Sequence, residues 1–177
     1  MKTQVIVLNG GSSSGTTSIA RCLQSVLTEP WVHWGVDDLL DALPPSLQDS
    51  ADGAAFGSQG QVVLGEGFRA IEAAWLAGLA AMARAGARMV LDDVFLGGAA
   101  SQARTRAALD GLTVLWVGVH CDAQVAAERE ATRGDRAPGM AASQADVVHQ
   151  GVHYDVEVDT TSTPAWDCAR VIATHVR

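Results

Sequence analysis

The sequence predicts an α/β fold in which a parallel β-sheet is covered by helices on both faces. Short runs rich in Val, Ile and Leu alternate with longer segments whose apolar residues recur at helical spacing. The short runs are apolar at nearly every position, which is typical of strands buried on both faces. The 177 residues are 48% apolar and 18% charged, so the chain can bury the core of one domain, residues 1–177.

The first half of the chain alternates predicted strands with predicted helices. Strands are predicted at 4–8, 31–36 and 88–91, and helices at 17–27 and 68–85. A further short helix is predicted to follow Asp37 and Asp38 and to run through Leu43. Pro44 and Pro45 end the second helix, and Gly86 is placed to end the third. The stretch 44–65 is rich in Gly, Ser, Gln and Asp. We expect it to be an excursion from the sheet, such as a small hairpin.

The second half continues the alternation. Helices are predicted at 98–109, 122–133 and 163–176, and strands at 113–120 and 156–158. Asp122 can cap the first turn of its helix. Thr163 followed by Pro164 predicts an N-cap with proline at the first helical position.

A glycine- and serine-rich loop separates the first strand from the first helix. The loop consists of Gly10, Gly11, Ser12, Ser13, Ser14, Gly15, Thr16 and Thr17, which match the phosphate-loop pattern GxxxxGK[ST] at every position but one. Such loops turn backbone N–H groups toward phosphates, and the next helix adds its positive end. Thr17 stands where a hydroxyl holds Mg²⁺. The placement favours phosphate binding over a glycine-rich turn without a ligand.

The departure from the pattern is Thr16, which replaces the motif lysine. That lysine reaches the β- and γ-phosphates through charge-assisted hydrogen bonds, each worth about 1.5–3 kcal/mol. A comparable cation in the transition state is worth ~10³–10⁵ in rate. Lys2 is the one lysine of the chain, so a substitute cation must be arginine. We expect nucleotide binding to survive this change better than catalysis.

The segment 129–139 carries the first candidates for that cation. They are Arg129, Arg133 and Arg136, spaced i, i+4 and i+7. One interpretation is a lid that closes arginines over the phosphates. The other is a solvated charged face in which Glu128 and Glu130 pair locally.

Two aspartates follow predicted strands at the edge where ligands of parallel sheets lie. Asp92 ends an apolar run in the manner of a Walker B strand, which orients Mg²⁺ or its water, although turn and capping aspartates are also common. Asp37 is the candidate base that accepts a proton from a substrate hydroxyl. Asp38 could cap the following helix instead.

Charge and hydropathy exclude several classes of protein. The net charge of −8 argues against a nucleic-acid or anionic-membrane surface. No apolar segment is long enough to span a membrane, and the first apolar run, 5–8, is too short for the core of a signal peptide, so we expect neither a membrane span nor a secretory signal. The three cysteines are far apart and fit separate reduced thiols, so we expect a cytoplasmic protein. The oligomeric state is not readable from the sequence.

Several motifs together resemble the chloramphenicol phosphotransferases. They are Asn9–Ser13, Gly35–Asp37, Ala83–Ala87, Asp92–Gly98, Leu115–Val119, Arg133–Arg136 and Tyr154–Thr160. The likeness covers nearly the whole chain. It implies a five-stranded parallel P-loop kinase fold arranged as a three-layer sandwich, with ATP and Mg²⁺ as co-substrates. It also implies phosphorylation of the primary hydroxyl of chloramphenicol, an antibiotic-resistance reaction.

The resemblance also assigns roles to residues. It places the catalytic base on Asp37, the nucleotide loop on 10–17, and the lid arginines on Arg133 and Arg136. The family has lysine at the position of Thr16. We therefore carry three hypotheses: a chloramphenicol kinase weakened by Thr16, a kinase for another natural-product alcohol, and a binder of nucleotide or antibiotic that does not transfer phosphate.

Overall fold

A computed structural model describes residues 2–57, 60–133 and 139–177, with Arg133 described by its backbone alone. The strands in these residues are β1 (Val5–Asn9), β2 (Val32–Gly35), β3 (Ala54–Phe56), β4 (Val62–Leu64), β5 (Met89–Asp93), β6 (Val114–His120) and β7 (Val156–Asp159). The α-helices are α1 (Thr16–Val26), α2 (Val36–Asp41), α3 (Glu66–Arg84), α4 (Ala99–Ala108), α5 (Ala123–Arg133), α6 (Met140–Gln144) and α7 (Ala165–Ala173). No helix of the described residues is long and apolar enough to cross a membrane.

The main sheet confirms the predicted fold class. Five parallel strands lie in the order β2-β5-β1-β6-β7. In this register Asn9 lies beside Asp93, and Gly35 lies beside Asp92. The carboxyl ends of β1, β2 and β5 therefore meet at one edge, where the phosphate-loop residues begin.

Two apolar layers hold helices against the faces of the sheet. On one face α1 and α7 pack on the strands through buried side chains such as Ile19, Leu23 and Ile172. On the other face α3 covers the sheet through Leu76, Leu79 and Ala83. Strands buried on both faces explain why their sequences are apolar without alternation. The result is the three-layer arrangement that the resemblance implies.

The excursion forms an antiparallel hairpin of β3 and β4, as its composition suggests. It packs through Ala54 on a small apolar cluster with Leu39, Leu43 and Phe68. This cluster ties the hairpin to α2 and α3, and so places it beside the carboxyl edge of the sheet.

The structure corrects two predicted helix starts. Helix α2 begins at Val36, so Asp37 and Asp38 lie in its first turn rather than before it. Helix α7 has Pro164 as its N-cap residue, so Thr163 does not cap it, and the helix ends at Ala173. The carbonyl of Pro164 accepts the N–H groups of Asp167 and Cys168, as the carbonyl of an N-cap residue does, and no side chain caps the helix.

Helix α6 and a 3-10 turn at Val147–His149 were not predicted. Glu130 from α5 caps α6, because its two carboxylate oxygens accept the N–H groups of Gly139 and Ala141 at 2.8 and 2.7 Å. Glu130 lies nine positions before Gly139 and belongs to another helix, α5. A local sequence pattern therefore gives no sign of this short helix.

Candidate active site

The loop between β1 and α1 is folded tightly. Ser13 and Gly15 both have left-handed backbone angles, with φ of 61° and 96°. A left-handed residue other than glycine is uncommon, and such strain concentrates at functional sites. A Cβ on Gly10 would lie 2.8 Å from the Val119 carbonyl oxygen and 2.9 Å from Cγ2 of Thr16. The loop therefore needs glycine at position 10, and the Thr16 methyl packs inside the loop.

The loop also has polar groups without partners. The hydroxyls of Ser12, Ser13 and Ser14 are buried and form no hydrogen bond within the described residues. Buried polar groups nearly always have a partner, so three neighbouring exceptions indicate a ligand. The first-turn N–H groups of α1 also lack helical carbonyls, and α1 has neither a side-chain cap nor an acidic first turn. Hydroxyl and N–H donors around a helix N-terminus suit phosphate oxygens.

Contacts from the second half of the chain fix the outside of the loop. The Ser12 N–H donates to Oε1 of Gln144 at 2.8 Å. The Thr160 hydroxyl donates to the Ser14 carbonyl at 2.6 Å, and Arg129 donates to the Thr160 carbonyl at 2.7 Å. The sequence analysis missed Gln144 and Thr160 as supports, because each is more than 130 residues from its partner.

The two predicted Mg²⁺-site residues lie together. The Thr17 hydroxyl donates to Oδ2 of Asp92 at 2.7 Å. His33 on β2 lies behind them, with Nε2 3.6 Å from the same carboxylate oxygen. A hydroxyl beside a carboxylate is the oxygen-rich donor set that Mg²⁺ prefers. These side chains would fit the ion next to the phosphates.

The neighbouring Asp93 has a different environment. Its Oδ1 accepts the Val94 N–H at 2.7 Å. Burial raises the pKa of Asp93 to about 7, and the nearby Glu72 and Asp92 add to that rise. Two adjacent carboxylates at the end of one strand thus have separate surroundings, and Asp92 is the one that meets Thr17.

Asp37 and Asp38 also differ. The exposed Asp38 uses Oδ2 to accept the Gly35 N–H at 2.7 Å, so it caps α2, one of the alternatives that the sequence left open. Asp37 is half-buried and lines the same cavity as Thr17 and Asp92. Asp38 also borders the cavity, but its Oδ2 is engaged by the Gly35 N–H in the helix cap.

Of the three arginines predicted to replace the motif lysine, the structure describes the side chain of Arg129. Arg129 donates to Thr160 and to Sγ of Cys121, and it does not line the cavity, so it is not the replacement for the motif lysine. Glu130 accepts the backbone N–H groups of Gly139 and Ala141. The side chain of Arg133 and all of Arg136 lie outside the described residues.

One cavity of about 360 Å³ joins these groups. Its phosphate end is lined by the loop, Thr17, Asp92 and Asp37. The rest of the lining, called the far end below, includes the apolar side chains of Phe56, Val62, Leu64, Phe68, Phe95 and Met140. The volume and the mixture of apolar and polar walls suit a small organic molecule beside a phosphate site.

A charged cluster forms part of the far end. Arg69 donates to both carboxylate oxygens of Glu72 at 3.1 and 2.9 Å, and Nε of Arg104 lies 3.7 Å from Glu72. Arg104 also donates to the Ser101 hydroxyl. Glu72 thus holds two guanidinium groups in place. The sequence analysis assigned no role to these three residues.

Asn9, the last residue of β1, links the start of the phosphate loop to other segments at the carboxyl edge of the sheet. Its Oδ1 accepts the Phe95 N–H at 2.8 Å, and its Nδ2 donates to the Val148 carbonyl at 2.9 Å and to the Tyr154 hydroxyl at 2.5 Å. The Tyr154 oxygen also lies 2.6 Å from Nδ1 of His149. Burial raises the pKa of Tyr154 to about 12 and lowers that of His149 to about 4. The network is neutral near pH 7 and supports the start of the loop from behind.

Comparison with known proteins decides the family. The model of the family "Chloramphenicol phosphotransferase-like protein" matches residues 3–177. The chain belongs to this family. A Mycobacterium tuberculosis relative named "Putative O-phosphotransferase" is 35% identical over 194 aligned positions, which cover 94% of this chain and 79% of the relative. The resemblance drawn from the sequence motifs is confirmed.

Solved structures share the fold of this family member. A sugar kinase from Janibacter has a TM-score of 0.72 at 16% identity, with 97% of this chain and 93% of that chain covered. Shikimate kinase from Acinetobacter baumannii, in complex with shikimate, has a TM-score of 0.67 at 20% identity, with 98% of this chain and 92% of that chain covered. An APS kinase from Mycobacterium tuberculosis, in complex with AMPPNP and APS, has a TM-score of 0.64 at 17% identity, with 98% of this chain and 96% of that chain covered. The chain is thus a phosphotransferase-family protein with a P-loop kinase fold.

Proposed function

We propose that this protein is an ATP- and Mg²⁺-dependent O-phosphotransferase that acts on the primary hydroxyl of chloramphenicol or a close analogue. One observation carries the proposal. Ser12 and Ser13, whose hydroxyls have no partner within the described residues, line one cavity together with Thr17, Asp92 and Asp37. The other walls of this cavity combine apolar side chains with a charged cluster. Such a cavity can hold a nucleotide phosphate and a small acceptor side by side.

The loop would bind the phosphates of the nucleotide. The donors are the hydroxyls of Ser12 and Ser13 together with the backbone N–H groups in the first turn of α1, which begins at Thr16. Contacts from Gln144 and Thr160 hold these donors in position before the nucleotide arrives. Preorganised donors lose little on binding, which partly offsets the absent lysine.

Thr17 and Asp92 would hold the metal ion. Mg²⁺ bound there would neutralise charge on the β- and γ-phosphate oxygens during transfer. The Thr17 hydroxyl, which now donates to Asp92, would turn its oxygen toward the ion. Thr17 and Asp92 would thereby help to fix the phosphates in line with the acceptor hydroxyl.

Asp37 would act as the base. The acceptor oxygen forms a bond to the γ-phosphorus while the bond from that phosphorus to the bridging oxygen of the β-phosphate breaks. The hydroxyl proton passes to the Asp37 carboxylate, and ADP leaves. Arg133 and Arg136 keep the role that the resemblance implies, as cations that stabilise the moving phosphoryl group.

The acceptor test is a panel of alcohols incubated with ATP and Mg²⁺, with each product identified by mass. Chloramphenicol heads the panel, beside shikimate, gluconate and other natural-product alcohols. We expect phosphorylated chloramphenicol and no product when Mg²⁺ is chelated. Product from another alcohol alone would favour the second hypothesis, a kinase with a different acceptor. Nucleotide binding without any product, even over long incubation, would contradict the proposed activity and leave a binding protein.

A further inference from the structure

Because Thr16 replaces the P-loop lysine, another residue must supply the positive charge beside the β- and γ-phosphates. Thr16 cannot supply it, since its side chain is buried and its methyl packs against Gly10. Lys2 lies beside Glu29, in a groove away from the cavity. Arg129 is held by Thr160. Within the described residues, the remaining candidates are the arginines that line the cavity.

Three arginines of the described residues line it: Arg21, Arg69 and Arg104. Two of them are fixed at the far end, where Arg69 and Arg104 share the carboxylate of Glu72. Moving either toward the phosphates would leave Glu72, which is largely buried, short of a partner. Arg21 is the third, and its guanidinium has no hydrogen bond or ion pair in the part of the chain that the structure describes.

Arg21 is well placed to reach the phosphates. It lies four residues after Thr17 on α1, so both side chains share one face of the helix. Side chains of a helix lean toward its N-terminus, which here is the phosphate loop. Arg21 is exposed and lines the same cavity as the phosphate loop and Asp37.

We propose that Arg21 supplies to the γ-phosphate the cation that the motif lysine supplies in other P-loop kinases. The inference rests on the proposed function. The guanidinium would donate N–H bonds to γ-phosphate oxygens and stabilise the charge that moves toward the bridging oxygen as transfer proceeds. Its planar fork can bind two phosphate oxygens at once, which a single ammonium does less well.

Four proteins test the assignment: the chain itself, Arg21→Met, Thr16→Lys and the double variant. The readouts are the turnover number for transfer to the acceptor and the affinity for Mg²⁺ with AMPPNP. We expect Arg21→Met to lower turnover by ~10²-fold or more in the chain itself. In the Thr16→Lys background the same change should cost about threefold or less, because the lysine then provides the charge. Arg21→Lys should keep part of the activity.

A matched control removes an arginine away from the cavity. Arg170→Met takes an exposed cation from α7, and its turnover should stay within about twofold of the starting chain. Melting curves of all variants show whether each one folds. This control separates loss of a specific contact from loss of net charge.

The outcomes separate this inference from the proposed function. If neither the chain nor Thr16→Lys transfers phosphate, the proposed function fails. If Thr16→Lys is active and the starting chain is not, Arg21 does not compensate and the inference is overturned. Equal losses from Arg21→Met in both backgrounds, or no loss in either, also overturn it. A loss confined to the Thr16 background supports it.

Discussion

The two ends of the cavity differ in how their charges are arranged. At the phosphate end, three buried serine hydroxyls have no described partner, and the first turn of α1 carries no acidic residue. At the far end, Arg69 and Arg104 are already held by Glu72, among apolar walls from the hairpin and α3. One end has donors without an acceptor, and at the other end the guanidinium groups of Arg69 and Arg104 already share a carboxylate partner.

This difference indicates a division of tasks. Unpartnered donors at the phosphate end become satisfied when an anion binds, so that end should control nucleotide binding and the rate of transfer. Guanidinium groups that already have a carboxylate partner are less available to bind an anion, and they instead keep the wall in shape. The far end should therefore control how well the acceptor fits. Changes at the two ends should alter different kinetic constants.

Asp37→Asn at the phosphate end should have the largest effect. It removes the carboxylate that accepts the hydroxyl proton while nearly preserving shape, so kcat should fall by ~10²–10⁴. The affinity for AMPPNP, measured by calorimetry, should change little. Asp38→Asn is the matched control, since Asp38 caps α2 through the Gly35 N–H and should lose stability rather than turnover. Equal turnover in Asp37→Asn and the parent chain would remove Asp37 from the mechanism.

Asp92→Asn should have the next largest effect. An amide attracts Mg²⁺ less than a carboxylate, so the Mg²⁺ concentration for half-maximal rate should rise about 10–100-fold. The measurement is a Mg²⁺ titration of the transfer rate at fixed ATP. The control is Asp93→Asn at the adjacent residue. Asp93 accepts the Val94 N–H and not the Thr17 hydroxyl, so this change should shift the Mg²⁺ concentration for half-maximal rate far less. If the two variants respond alike, the assignment of the metal to Asp92 is wrong.

Glu72→Gln at the far end should act on the acceptor. The amide cannot balance Arg69 and Arg104, so the wall should loosen and the KM for the acceptor should rise about tenfold, equivalent to about 1.4 kcal/mol. The turnover number and the affinity for AMPPNP should stay near those of the parent chain. Glu66→Gln, an exposed change at the start of α3, is the control. A fall in kcat with unchanged KM would contradict the division between the two ends.

His149, behind the phosphate end, should give the smallest effect. Burial, with a contribution from His120 and partly opposed by Glu157 and Asp146, lowers the pKa of His149 from 6.5 to about 4. Between those values the unfolded chain binds a proton that the folded chain does not, so stability is full above pH 6.5 and falls as the pH drops. The contribution is below about 1.4 kcal/mol per pH unit, because His149 is only half-buried.

The test compares free energies of unfolding from pH 7 to pH 4 for the parent chain and His149→Gln. The variant should show a shallower fall with decreasing pH, because one group no longer differs between the folded and unfolded states. An equal slope would mean that His149 does not set this dependence. A steeper slope would reverse its sign and contradict the burial argument.

The sequence predicted what depends on local pattern. Apolar runs located the five parallel strands, and glycine and serine spacing located the loop from Gly10 to Thr17. Because strand ends meet at one edge of a parallel sheet, Thr17, Asp37 and Asp92 were expected near one another, and the structure places them in one cavity. Their chemical roles stay predictions.

Contacts between distant segments could not be predicted in this way. Gln144 and Thr160 support the loop from far along the chain, and Glu130 caps a helix that has no local signal. Arg129 belonged to a candidate face by spacing, yet Thr160 holds it away from the cavity. Arg21 did have a signal, because it follows Thr17 by one helical turn, but a lone charged residue on a helix is usually only solvated.

A single-turnover experiment tests most directly whether this phosphate loop works without its lysine. The protein in excess is mixed with ATP, Mg²⁺ and chloramphenicol, and phosphorylated chloramphenicol is followed by mass over time. We predict that the chain with Thr16 converts the bound ATP completely, more slowly than Thr16→Lys. Bound but untransferred ATP in the chain with Thr16, alongside full conversion by Thr16→Lys, would contradict the account and leave a protein that binds nucleotide without transferring phosphate.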